Sequence, residues 1–376
     1  MTESSRAARL RELVALFGTL GVIGFGGPAA HIALMRREVV ERRGWLTDQQ
    51  MVDLVGITSL IPGPNSTELA MLVGLRRAGR LGLLVAGLAF ILPAVAIVLA
   101  LAWAYVAYGT TRAGEALLYG TAPVIVVVVV GALIGFARAA LGGRLTALLA
   151  VAVGLLWLAG VNEIVLLAGG ALIVAAARLG GRTQTVALLL PITAGGAGAV
   201  DLLTLGGVFL KAGALLYGSG YVLLAFLRGD LVERLGWLND KQLIDAVAVG
   251  QVTPGPLFTT ATFVGFLVAG LPGAMLATAA IFLPAFVIVA LVGPWVGRIR
   301  DRPLTAALLD GLNAAAIGLM AAVSIQLATS AVRDPLTALI GAAAAILLVI
   351  GNVPSVVLVL GGGAIGLAAA AAGLGP

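Results

Sequence analysis

Hydrophobic and polar positions along this chain fall in long blocks, not in the two- or three-residue alternation of a water-soluble fold. Apolar segments occupy 12–34, 50–76, 81–108, 116–140, 145–160 and 162–178, then 209–227, 243–270, 272–297, 304–330, 336–351 and 353–373, separated by short charged stretches. A bilayer core about 30 Å thick takes roughly 20 apolar helical residues per crossing. The pattern therefore predicts an all-α polytopic membrane protein in contact with lipid. One more segment, 185–208, holds Pro191, Asp201 and several glycines but is long enough to cross, which makes about 13 hydrophobic segments. Segments 12–34 and 50–76 are broken at Gly24-Phe25-Gly26-Gly27-Pro28 and at Pro62-Gly63-Pro64. Each either crosses or folds back as a re-entrant helical hairpin.

The pattern repeats itself. Gly44-Trp45-Leu46-Thr47-Asp48 returns 192 residues later as Gly236-Trp237-Leu238-Asn239-Asp240, and the same offset superposes Pro62-Gly63-Pro64 on Pro254-Gly255-Pro256 and Asp53 on Asp245. The chain reads as a tandem duplication, with an N-terminal transporter repeat at 1–184, a linking apolar segment at 185–208 and a C-terminal repeat at 209–376. If 185–208 crosses, the second repeat is inverted. Arginine placement agrees: the loop at Arg76, Arg77 and Arg80 is basic while its partner at 270–273 is uncharged, and Arg298, Arg300 and Arg302 fill a loop whose first-half partner holds Arg112 alone. Basic loops stay cytoplasmic, so opposite basic loops in two copies imply opposite topologies.

Composition narrows the function. With 61% hydrophobic and 11% charged residues, lipid is the solvent for most of the chain. No cysteine is present and His31 is the sole histidine, so disulfides, thiolate sites, cysteine nucleophiles and imidazole clusters are excluded, and no metal or other cofactor is expected. No phosphate-binding loop of Walker type offers ATP a seat. The net charge of +6 is scattered between apolar segments and reads as topology rather than as a nucleic-acid surface. The expected location is a cell's inner membrane, crossed many times, with no cleaved leader.

Candidate chemistry sits at the breaks. Proline lacks an amide donor and interrupts a helix, and non-helical backbone inside a membrane survives where protein buries it or water lines it. Asn65, Ser66 and Thr67 follow Gly63 as caps of a restarting helix; Thr259 and Thr260 follow Gly255 in the same way. Free amides and the helix dipole make such a start an anion site, and paired interruptions in two halves mark a transporter's substrate. The competing reading is a merely structural kink. Lys211, inside an apolar segment, either complements an anion, snorkels or pairs with Asp201. Glu68, one turn into the restarted helix, either carries a coupling proton or caps amides. His31 either titrates or packs. Gly26, Gly27 and Gly218 permit close backbone approach, to ligand or to helix, and Ser219 stands where a second glycine would. Trp45 and Trp237 read as interfacial anchors of twin polar elements at 36–50 and 228–242; Asp53 and Asp245 read as acids at helix starts. The small residues of 116–178 and 304–373 suit a scaffold or contact with a second copy, as in a homodimer.

Gly24-Phe25-Gly26-Gly27-Pro28-Ala29-Ala30-His31, Pro62-Gly63-Pro64-Asn65-Ser66-Thr67-Glu68 and Gly250-Gln251-Val252-Thr253-Pro254-Gly255-Pro256 with Thr259-Thr260 together resemble the chromate ion transporter family, through both halves and over roughly residues 12–340. The resemblance implies a long-form, two-domain exporter of chromate, with sulfate as a competing analogue, driven by an ion gradient as an antiporter. It also implies a glutamine ahead of Pro-Gly-Pro: Gln251 keeps it, whereas Ser59 occupies the first-half position. A carrier for sulfate or another anion, and a passive anion channel, are the rival readings.

Overall fold

The structure is a computed structural model, described here over residues 3–25, 27–179, 200–217, 220–292 and 303–374. Most of the predicted 185–208 segment, Gly26, Gly218, Ser219 and the arginines at 298, 300 and 302 lie outside the described residues. Within them the chain is helical and no strand forms. The first half comprises α1 (Glu3–Ile23), α2 (Gly27–Arg36), α3 (Asp48–Thr58), α4 (Asn65–Tyr108), α5 (Arg112–Ala140), α6 (Arg144–Leu158) and α7 (Glu163–Leu179). The second comprises α8 (Leu202–Leu215), α9 (Leu223–Leu227), α10 (Asp240–Val252), α11 (Thr260–Val292), α12 (Pro303–Ala331), α13 (Pro335–Val349) and α14 (Ser355–Ala371). A π-helical turn follows α2 at Arg37–Arg42 and α9 at Arg228–Arg234. Helices α4, α5, α11 and α12 are long and apolar enough to cross a membrane.

Local devices recur at the sequence offset. Thr47 and Gln50 close a capping box on α3, and Asn239 and Gln242 close the same box on α10. Arg36 binds Glu41 and Asp48, and Arg228 binds Glu233 and Asp240. Both long motif helices kink at glycine: Gly79 has φ 68° and Gly270 φ 60°, a left-handed backbone that glycine adopts without steric cost.

Segments 12–34 and 50–76 fold back on themselves. Glu12 in the middle of α1 bonds Arg77 at 2.7 Å, and the Arg77 guanidinium lies 4.7 Å from the centre of the Trp45 ring. Residues 12, 45 and 77 thus meet at one level, and the chain between them makes two helical hairpins whose tips lie at the breaks after α1, at Gly24 and Phe25, and at 59–64. Helices α2 and α3, 10 and 11 residues long, span only about 15 Å each at 1.5 Å per residue.

The two halves are interlocked. Helix α1 packs on α4 and α8 on α11, but α5 packs on α13 and α14 of the other half, and α12 on α6 and α7. Backbone contact through small residues carries these crossings: Gly120 abuts Gly362 and Gly366, and Gly311 abuts Gly170. The small residues of 116–178 and 304–373 are therefore used within the chain. The core built on Leu13, Phe17, Leu54 and Phe90 also takes in Ala285 and Val289 from the second half, so the sequence repeats do not have separate cores.

Candidate substrate site

The hairpin tips converge pairwise. The Gly63 amide donates to the Leu216 carbonyl at 2.9 Å, and the Gly255 amide donates to the Gly24 carbonyl at 2.8 Å. Leu216 follows Gly24 by the repeat offset of 192, so this is one contact made twice, each time from one half to the other. Gly63 has φ 136° and Gly255 φ 95°. A methyl group at Gly63 would meet Glu68 Oε1 at 2.5 Å and Ala285 at 3.3 Å; at Gly255 it would meet Ala94 at 2.7 Å. Only glycine fits both the backbone and the space.

Each Pro-Gly-Pro ends one helix and starts another. Helix α4 restarts at Asn65 with Pro64 as its cap residue and no side chain capping it, so Asn65, Ser66 and Thr67 are helical residues rather than caps. In the second half a 3₁₀ turn at Leu257–Thr259 leads into α11. There Thr259 Oγ1 donates to the Pro256 carbonyl at 2.9 Å and Thr260 Oγ1 to Leu257 at 2.8 Å. Those hydroxyl protons are committed to backbone, whereas Thr67 Oγ1 is buried with no partner.

Glu68 is fully buried, and neither carboxylate oxygen has a hydrogen-bond partner. His31, 2% exposed, stands edge-on to Phe90 and donates from Nε2 to the Gly24 carbonyl at 2.8 Å. The Gly24 carbonyl thus receives both His31 and Gly255, and His31 Nδ1 is left buried without a partner. Gly27 begins α2 at φ 76° with open space around it. Gln251 lies in the last turn of α10, partly buried and engaged by a partner.

Two expectations change. Lys211 does not pair with Asp201, which caps α8 through the amides of Leu203 and Thr204; it bonds Glu163 at 2.9 Å and also pairs with Asp230. Its ammonium is balanced by two buried carboxylates and is not free for an anion. Asp53 and Asp245 also part company: Asp53 is exposed beside Gln49, while Asp245 is 1% exposed and accepts from the Tyr105 hydroxyl at 2.8 Å. Sequence reasoning missed Tyr217, which directly follows the Leu216 carbonyl that Gly63 binds; no motif marks it.

Helical hairpins meeting tip to tip, between long apolar helices of interlocked halves, define a multi-pass membrane protein of the transporter class. The chromate transporter family matches the chain twice, at residues 11–175 and 203–367, and the chain belongs to that family. It is 36% identical to a chromate transport protein of Cupriavidus metallidurans, over 96% of this chain and 93% of the relative, and 32% identical to a probable chromate transport protein of Synechococcus elongatus, over 89% and 88%. An uncharacterized transporter of Methanocaldococcus jannaschii is 25% identical over 83% of each chain. No solved structure matches.

Proposed function

We propose that the protein is a secondary active exporter of chromate and that the dianion binds where the helix starts after Gly63 and Gly255 approach one another. The observation that carries this reading is the reciprocal pair of bonds from Gly63 to Leu216 and from Gly255 to Gly24, which ties each Pro-Gly-Pro break to a helix end in the other half and supports a shared site at the breaks. Helix starts offer amides and positive dipole ends to an anion without a fixed cation, consistent with Lys211 being balanced elsewhere. Asn65, Ser66 and Thr67, with Gln251, supply the polar lining, while the Thr259 and Thr260 hydroxyls hold the backbone of the second break. Sulfate, another tetrahedral dianion, competes.

Inverted repeats placed as re-entrant hairpins fit the contacts. The first-half hairpins open beside the kink of α4, at Glu12, Trp45 and Arg77. The second-half helix α10 begins beside the far end of α4, where Tyr105 meets Asp245. The intervening turns of α4 rise roughly 40 Å at 1.5 Å per residue. The first end carries Arg9, Arg36, Arg37, Arg42, Arg43, Arg76 and Arg80, which assigns it to the cytoplasm by the positive-inside rule. Glu68 is the coupling group: an unpaired buried carboxylate is costly as an anion, so it takes up a proton, and a dianion bound nearby favours that protonated form. His31 holds the Gly24 tip.

Fluxes of chromate, sulfate and protons into proteoliposomes test the assignment. Thr67→Ala and Asn65→Ala are expected to raise the chromate KM, and Glu68→Gln to abolish transport driven by a proton gradient while sparing chromate binding. Parent-like transport by all three would refute the site; an electrical current without acceleration by trans substrate would favour a channel.

A further inference from the structure

At the end of the molecule opposite the first-half hairpins, a cavity of about 630 Å³ opens between α5, α10 and the α12–α13 turn. Asp245 lines it, although the residue is 1% exposed. Its Oδ2 accepts the Tyr105 hydroxyl at 2.8 Å, and its Oδ1 is buried without any partner. The charged and titratable groups facing it are Tyr105 from α4, Glu115 and Tyr119 from α5, Lys241 from α10 itself, and Arg333 and Asp334 from the turn. Tyr119 is held by Asp334, through two bonds of 2.8 Å. Asp334 in turn caps α13. Of the acids at the cavity, Glu115 is exposed, and Asp245 is the buried one with an oxygen that no partner takes. The matching position of the first half differs, since Asp53 is exposed and bonded by Gln49.

We propose that Asp245, with Tyr105, is the port through which the coupling proton enters from the non-cytoplasmic side. A hydronium ion in the cavity passes a proton to Oδ1, one O–H bond breaking as another forms, which leaves neutral water and a neutral carboxyl group while Tyr105 keeps its hydrogen bond to Oδ2. Asp245 is distant in sequence from the anion site and acts on the driving ion, not on chromate. The inference rests on the proton-coupled reading of the exporter and extends it with a site on the far side of the membrane.

The test uses the full chain in proteoliposomes and two modes of transport. Chromate exchange at equal pH on both sides needs the anion site but no net proton movement; uptake driven by an imposed pH gradient needs both. Asp245→Asn is expected to lower gradient-driven uptake by about a hundredfold or more, the scale of losing one proton-transfer group, with exchange kept near the parent rate. Tyr105→Phe, which keeps the acid and removes its donor, is expected to displace the external-pH midpoint of driven uptake and leave exchange unchanged. Gradient-driven uptake at the parent rate in Asp245→Asn would overturn the port, as would loss of exchange and driven uptake together, which marks a structural acid. A parent protein that ignores the pH gradient would instead overturn the proton-coupled reading itself.

Discussion

At the scale of single residues, Gly63 and Gly255 carry the most constraint for the least chemistry. Both need a positive φ and both lack room for a methyl group. Gly63→Ala is expected to cost about 1–2 kcal/mol in backbone strain alone and to push Glu68 from its place, so thermal stability falls and transport is lost. Gly27→Ala meets no neighbour and pays only the backbone strain, so it should retain transport. Lys211 shows the opposite logic. Lys211→Met takes the ammonium from Glu163, 5% exposed, and leaves Asp230, 3% exposed, to Arg234 alone, and removal of one partner from a buried ion cluster costs about 3–5 kcal/mol. Thermal unfolding in detergent should report that loss, and Lys211→Met with Glu163→Gln should recover part of it. At the loop before α13, the Thr337 amide and other donors hold the Asp334 carboxyl below its ordinary value of 3.8. Because the folded-state value is depressed, its stabilisation is complete above that ordinary value and is lost as pH falls through the lower folded one. Asp334→Asn, which keeps a cap, should flatten the acid limb of the stability profile.

At the scale of elements, repetition of sequence became repetition of devices. The boxes at Thr47–Gln50 and Asn239–Gln242 start α3 and α10 in the same manner. Thr47→Ala should cost about 1 kcal/mol, and loss of amide protection at the start of α3 in hydrogen exchange would register it. The Pro-Gly-Pro breaks were legible because their cause is local, a missing amide donor, whereas the capping boxes and the left-handed Gly79 and Gly270 went unread in segments that read as polar surface elements or loops. The choice between crossing and folding back was not legible. It turns on where Arg77 lands, and a bond to Glu12, sixty-five residues earlier in the chain, is invisible to any local pattern.

At the scale of the whole molecule, the halves share a core and exchange helices, since α5 leans on α13 and α14 while α12 leans on α6 and α7. Expression of either half alone should therefore give an unstable product, because each would expose the faces the other covers. Inversion has its own check in a protein that has no cysteine. Single cysteines at the exposed positions Gln49 and Asn239, which are matched to within two residues by the repeat offset, should react with an impermeant reagent from opposite sides of the membrane. Labelling from the same side would refute the inverted arrangement.

The sequence by itself determined that this chain is helical and apolar throughout, that it is built from two copies, where its helices break, and which family it resembles. Each follows from composition, spacing or the covalent nature of proline and glycine, and none depends on which residues end up as neighbours. Tertiary structure alone decided the pairing of tips across the halves, the burial of Glu68 with no partner, the balancing of Lys211 by Glu163 and Asp230, and the divergence of Asp245 from Asp53. Those outcomes depend on long-range packing, and identical side chains at matching positions of a repeat acquire different chemistry once one is enclosed and the other is left at the surface.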